Sequence, residues 1–163
     1  MNLRPEEHVL TITSSPVVTL EGEVTLREAA RRLSAANVGA VVIPAQGARP
    51  MAVLSERDIV RALADGADPD EIFAADIMTF EPRYATAGQS IRSAGEEMMA
   101  AGVRHLPVVE DGEPVGMIAA RDVMAVLSAA LPERGGAAAR PAAAPAKTAA
   151  APAVLRELSH PGG

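Results

Sequence analysis

Leu26, Ala29, Ala30 and Leu33 recur at i, i+3, i+4 and i+7, with charged residues filling the positions between them. That spacing gathers the apolar side chains on one face and predicts an amphipathic helix, which Thr25 and Glu28 are placed to start as a capping box. Immediately afterwards the period changes. "AVVI" (40–43) and "MAVL" (51–54) are short unbroken apolar runs separated by turn-forming residues, which reads as two strands joined by a hairpin. The pattern then returns to helix in "SERDIVRALADG", where Gly66 supplies a terminator. The predicted unit is helix, strand, strand, helix, led by an extended segment.

The same unit is written again downstream. Leu26, Ala29, Leu33, Ala36, Val38, Val41 and Ile43 fall on Ile91, Ala94, Met98, Ala101, Val103, Leu106 and Val108 at a constant offset of 65. "PMAVLSERDIV" (50–60) falls on "PVGMIAARDVM" (114–124) at an offset of 64, so one residue is lost in the hairpin, where length changes cost little. Upstream, Ile12 aligns with Ile77, and each unit covers roughly 50 residues. The predicted division is 1–68 for the first unit, 69–131 for the second and 132–163 for a tail. That tail is rich in Ala, Pro and Gly without a sustained apolar period, which predicts a flexible segment, and its "AVLRELS" stretch is long enough for only one or two helical turns.

Composition narrows the function classes. Hydrophobic residues make up 48% of the chain but aromatics only 2%, so the core is built from aliphatic side chains, with the seven Met residues as filler. There is no Cys, which removes disulfides, thiolate catalysis and Cys-based zinc sites. A net charge of −6 argues against non-specific nucleic-acid binding, which needs Lys and Arg to displace phosphate counterions, yet leaves room for a local anion site. The N-terminus lacks the pattern of a secretory signal and no apolar run approaches a membrane span, so a soluble cytoplasmic protein without membrane contact is the expectation.

Two units of this pattern, with "DIMT" (76–79) opening the second, "GVRHLPVVEDGEPVGMI" (102–118) as its strand pair and an Asp just inside each final helix, resemble a tandem pair of CBS domains, the Bateman module. The resemblance covers about residues 9–131. It implies an α/β (α+β) fold of two pseudo-twofold related β-α-β-β-α units whose sheets pack face to face and leave two clefts. It further implies regulatory sensing of an adenosine-containing ligand (AMP, ADP, ATP or S-adenosylmethionine), homodimer formation and output through a separate effector protein. No catalytic residue, metal site or required cofactor is expected.

The candidate site residues follow from that comparison and from local chemistry. Ser55 and Asp58 stand as N-cap and third residue of the second helix, a spacing that serves a capping box and equally presents a hydroxyl to phosphate and a carboxylate to ribose. At the matching junction Ala119 lacks the hydroxyl while Asp122 remains. Arg57 and Arg121 precede the two aspartates, where the helix dipole disfavours a cation, so each is placed toward phosphate or a partner carboxylate or is an ordinary solvated arginine. Arg104 and His105 lie before the second unit's strand, where some nucleotide-binding CBS domains hold phosphate, whereas the first unit has Gly39 and Ala40. In the family pattern Ile77, Thr79, Pro107 and Val103, with Tyr84 nearby, border the adenine. These residues predict two unequal clefts, the principal one at Ser55/Asp58 and the Asp122 cleft weaker, different in ligand or empty. The competing reading is a structural dimerisation module whose clefts take no ligand. An enzyme ranks last, since no nucleophile with a paired base stands out.

Overall fold

The computed structural model describes residues 3–47 and 50–131; the stretch from 132, with its "AVLRELS" segment, lies outside them. A 3-10 turn at Val9–Ile12 precedes helix α1 (Leu26–Ala36), strands β1 (Ala40–Ile43) and β2 (Ala52–Ser55), helix α2 (Glu56–Ala64) and the short helix α3 (Ala74–Ile77). Then come the two-residue strands β3 (Thr79–Phe80) and β4 (Ala85–Thr86), helix α4 (Ile91–Ala101), strands β5 (His105–Glu110) and β6 (Glu113–Ala119), and helix α5 (Ala120–Ala129). Among the described residues no helix is long and apolar enough to cross a membrane.

Local chemistry sets the helix ends. Thr25 Oγ1 accepts the Glu28 N–H at 3.3 Å, but the Glu28 carboxylate turns away to Arg32 at 2.9 Å, so only half of the expected box forms. Asn37 (φ 54°) ends α1 and Gly102 (φ 66°) ends α4, both in the left-handed conformation that these residue types tolerate. The buried face of α1 is Leu26, Ala29 and Leu33; Ala30, which the spacing groups with them, is exposed.

Two three-stranded sheets form, ordered β1-β2-β3 and β4-β5-β6. All four residues of β1 are buried because both its faces are covered. Val41 and Ile43 join Leu33, Leu54 and Ile59 in one core, while Ala40 and Val42 meet Val53 and Met117 where the sheets pack face to face. Pro107 sits within β5 without breaking its ladder. Its partner across the strand pair, Met117, spends its N–H and carbonyl on Ser14, so Pro107 owes β6 no hydrogen bond, and β4 pairs only from Val108 onward.

The segments leading into each unit depart from the expected extended form. Each first makes a helical turn, Val9–Ile12 or Ala74–Ile77, and then crosses to the other unit's sheet. The turn is what inserts an apolar side chain. Val9 is fully buried with Ile91, Leu106 and Ile118 of the second unit, and Ala74 is fully buried with Leu33 and Leu54 of the first. Beyond the turns, Thr79 pairs antiparallel with Val53, and Ser14 pairs antiparallel with Met117 at the equivalent place. Matching surface ion pairs sit beside the crossings: Arg27 holds Asp70 through two hydrogen bonds of 2.6 and 2.8 Å, and Arg92 holds Glu6 at 3.0 Å.

Candidate functional site

The two strand-to-helix junctions have the same backbone and different occupancy of their polar groups. Ser55 and Ala119 are both extended N-caps, with φ near −114° and −111°. At the first junction Asp58 Oδ2 accepts the Ser55 N–H at 2.9 Å and the Ser55 hydroxyl at 2.6 Å. Serine and aspartate are thus committed to each other, and the hydroxyl that would meet a ligand is donated inward. At the second junction no such partner exists, and Asp122 Oδ1 lies 3.5 Å from Arg121 Nε, a loose contact between side chains 32% and 75% exposed. An exposed pair at that distance holds weakly, so the Asp122 carboxylate keeps acceptor capacity for other hydroxyls.

His105, the first residue of β5, lies against Gly39 of the other unit. A Cβ added to Gly39 would sit 2.9 Å from both Cε1 and Nε2 of the imidazole and 3.4 Å from Glu56 Oε2. The first unit therefore has no room here for a counterpart of Arg104, which explains the glycine at the aligned position. Burial, then the charge of Arg104, pushes the His105 pKa below its ordinary value of 6.5, with Arg121 acting in the same direction and Glu56 and Asp122 against it. The imidazole is neutral at pH 7 and offers a proton-linked hydrogen-bonding edge.

Around this pair opens a cavity of about 740 Å³. Pro16, Val18 and Val38 give it apolar wall, Ser14, Asn37 and the neutral His105 give polar edge, and Glu56, Arg104, Arg121 and Asp122 bring the charge. The volume lies in the range of small-molecule sites, with few polar groups set among apolar lining. Two arginines and the first turn of α5 suit an anion, Asp122 suits a pair of hydroxyls, and the Pro/Val wall suits a flat apolar ring.

Of the residues singled out from sequence, Arg104, His105, Arg121 and Asp122 line this cavity together. Ser55, Arg57, Asp58, Ile77, Thr79 and Pro107 do not. Ile77 packs on the first unit's core, Thr79 is exposed on β3, Pro107 is buried in β5 and Tyr84 is 49% exposed. Val103 packs on the second unit's core, while its repeat mate Val38 reaches the cavity. Ser14, Pro16, Gly39 and Glu56 are lining residues that sequence reasoning missed. One signal was present: Thr79, picked as a cleft residue, aligns with Ser14 at the repeat offset of 65.

Comparison with known proteins agrees with this architecture. Residues 9–65 and 74–129 each match the CBS domain family. An uncharacterized protein of Methanocaldococcus jannaschii, MJ1225, is 32% identical over 121 residues, which is 74% of this chain and 43% of that one. Two CBS domain-containing proteins of Arabidopsis thaliana, CBSCBSPB2 and CBSCBSPB3, are 30% identical over 114 residues, 69% of this chain and 21% and 20% of theirs. The chain thus spans less than half the length of these curated relatives. Among solved structures, the CBS domain protein PAE2072 from Pyrobaculum aerophilum complexed with AMP superposes with a TM-score of 0.66 at 34% identity, covering 74% of this chain and 95% of that one. With both repeats matched and the fold shared, the chain belongs to the CBS domain family as a tandem pair.

Proposed function

We propose that this tandem pair is a regulatory module that binds an adenosine-containing ligand in the cavity at the Asp122 junction and passes the binding event to a partner protein. The observation that carries the reading is the convergence of Asp122, Arg121, Arg104 and His105 on one cavity walled by Pro16, Val18 and Val38. Asp122 takes the ribose hydroxyls, the arginines and the start of α5 take the phosphate end, and the apolar wall takes the adenine. The AMP bound by PAE2072 supports the ligand class. The Ser55/Asp58 junction ranks second, because its carboxylate already holds the Ser55 N–H and hydroxyl. Self-association into a homodimer belongs to the same proposal, supported by Val60 and Leu63 of α2, which are 64% and 45% exposed.

Thermal denaturation with AMP, ADP, ATP, NAD and S-adenosylmethionine tests it. A ligand at about 100 times its dissociation constant adds about 2.7 kcal/mol of stability. Asp122→Asn removes that gain while the unliganded melting point stays put; if Asp58→Asn removes it instead, the principal site is the first junction. A protein that none of these ligands stabilises at millimolar concentration is a dimerisation module without a ligand.

A further inference from the structure

We infer that Glu56 makes the Asp122 cleft selective for adenosine ligands of low negative charge, admitting a nucleoside or nucleoside monophosphate in preference to a triphosphate. The inference rests on the ligand reading above and narrows it.

Among the described residues five charged or titratable side chains line the cavity, from three elements: Glu56 of α2, Arg104 and His105 at the start of β5, and Arg121 and Asp122 of α5. Two are cationic and two anionic. His105 adds no charge at pH 7, since burial and Arg104 hold it neutral. The wall is therefore balanced before any ligand enters, although Asp122 alone has a role toward ribose. Glu56 is the unmatched element: among the described residues no hydrogen bond or ion pair ties its carboxylate to Arg104 or Arg121, and its Oε2 lies against the same Gly39 surface as the His105 ring. A phosphate drawn to Arg104 and His105 meets this carboxylate at close range. One phosphate group has two arginines to satisfy it; the second and third phosphates of ATP bring about two further negative charges, and among the described residues the wall holds no further cation for them.

The fixed anion acts in proportion to ligand charge. At a separation of about 6 Å under water-like screening, each ligand charge facing Glu56 changes affinity about threefold. Adenosine is indifferent to it, AMP is mildly penalised and ATP more so. Salt weakens the effect, because Glu56 is exposed.

Calorimetric titration of the full chain with adenosine, AMP and ATP, in low salt with EDTA, tests the inference in wild type and Glu56→Gln. Expected are tighter binding of AMP than ATP by wild type, an AMP-to-ATP affinity ratio about tenfold smaller in Glu56→Gln, and unchanged adenosine affinity. An unchanged ratio in Glu56→Gln, or ATP binding more tightly than AMP to wild type, overturns the inference while the adenosine-ligand reading stands. Absence of binding by all three to wild type overturns the inference, and the adenosine-ligand reading falls with it only if S-adenosylmethionine and NAD also fail to bind. Asp122→Asn separates the two roles, since it weakens adenosine, whose affinity Glu56→Gln leaves unchanged.

Discussion

His105 is the side chain whose surroundings say most about the cleft. Its pKa is depressed by burial first and by Arg104 second, with Glu56 opposing. The unfolded chain, with an imidazole near 6.5, then binds more protons than the folded one as pH falls. The stability contribution is present above about pH 6.5 and is lost as pH drops through the folded value, so the melting point should fall between pH 7.5 and 5.5, and His105→Gln should flatten that fall. Glu6 and Asp70 titrate elsewhere. Arg92 and Arg27 hold them below their ordinary values of 4.5 and 3.8, so their contributions persist to more acid pH and do not overlap the imidazole window. NMR titration should place the His105 midpoint below 6.5 and lower still in Glu56→Gln, because Glu56 is the largest influence raising it. The cap at Ser55 was legible in the sequence because it is made within four residues. The cleft role of Glu56 was not, because the surface it faces is supplied by residues some 50 positions away, Arg104 and His105.

At the level of elements, the hydrophobic period located all four long helices and both hairpins, since each signal is local. It could not show where the leading segments go. Nothing in "TIT" (11–13) of the first leading segment or "DIMT" (76–79) of the second announces that each segment turns helically and then pairs with the other unit's sheet, because the partner strand is chosen by which core will accept Val9 or Ala74. Gly116 is the trace of that choice. A Cβ there would collide with the Thr13 methyl and lie 2.8 Å from the Ser14 carbonyl oxygen, whereas its repeat mate is Ala52, fully buried with room for its methyl. Gly116→Ala should therefore cost about 1–3 kcal/mol in chemical denaturation, the range for overpacking a site with backbone on the far side. Gly88, with nothing within 4 Å of its added Cβ and no positive φ, is the control, and Gly88→Ala should stay within about 0.5 kcal/mol of wild type.

The exchange of leading segments decides how the whole molecule folds. A division at residue 68 separates the two repeats in sequence, but each hydrophobic core draws on both sides of it. A fragment of residues 1–68 lacks Ala74 and Met78 from its core and β3 from the edge of its sheet. A fragment of residues 69–131 lacks Val9 and the Ser14 pairing with Met117. Chains of this length are already marginal as independent domains, so an open core leaves each without a cooperative transition. Mixed in equal amounts, the fragments hold every residue both cores need, and the mixture should melt cooperatively by circular dichroism where neither fragment does alone. The cleft follows the same rule, for Ser14 and Glu56 come from one fragment and Arg104, His105 and Asp122 from the other. Stabilisation by AMP should accordingly appear only in the mixture. A fragment of residues 69–131 that melts cooperatively and responds to AMP by itself would place both the fold and the site within one repeat, and would show that the crossing segments are dispensable to both.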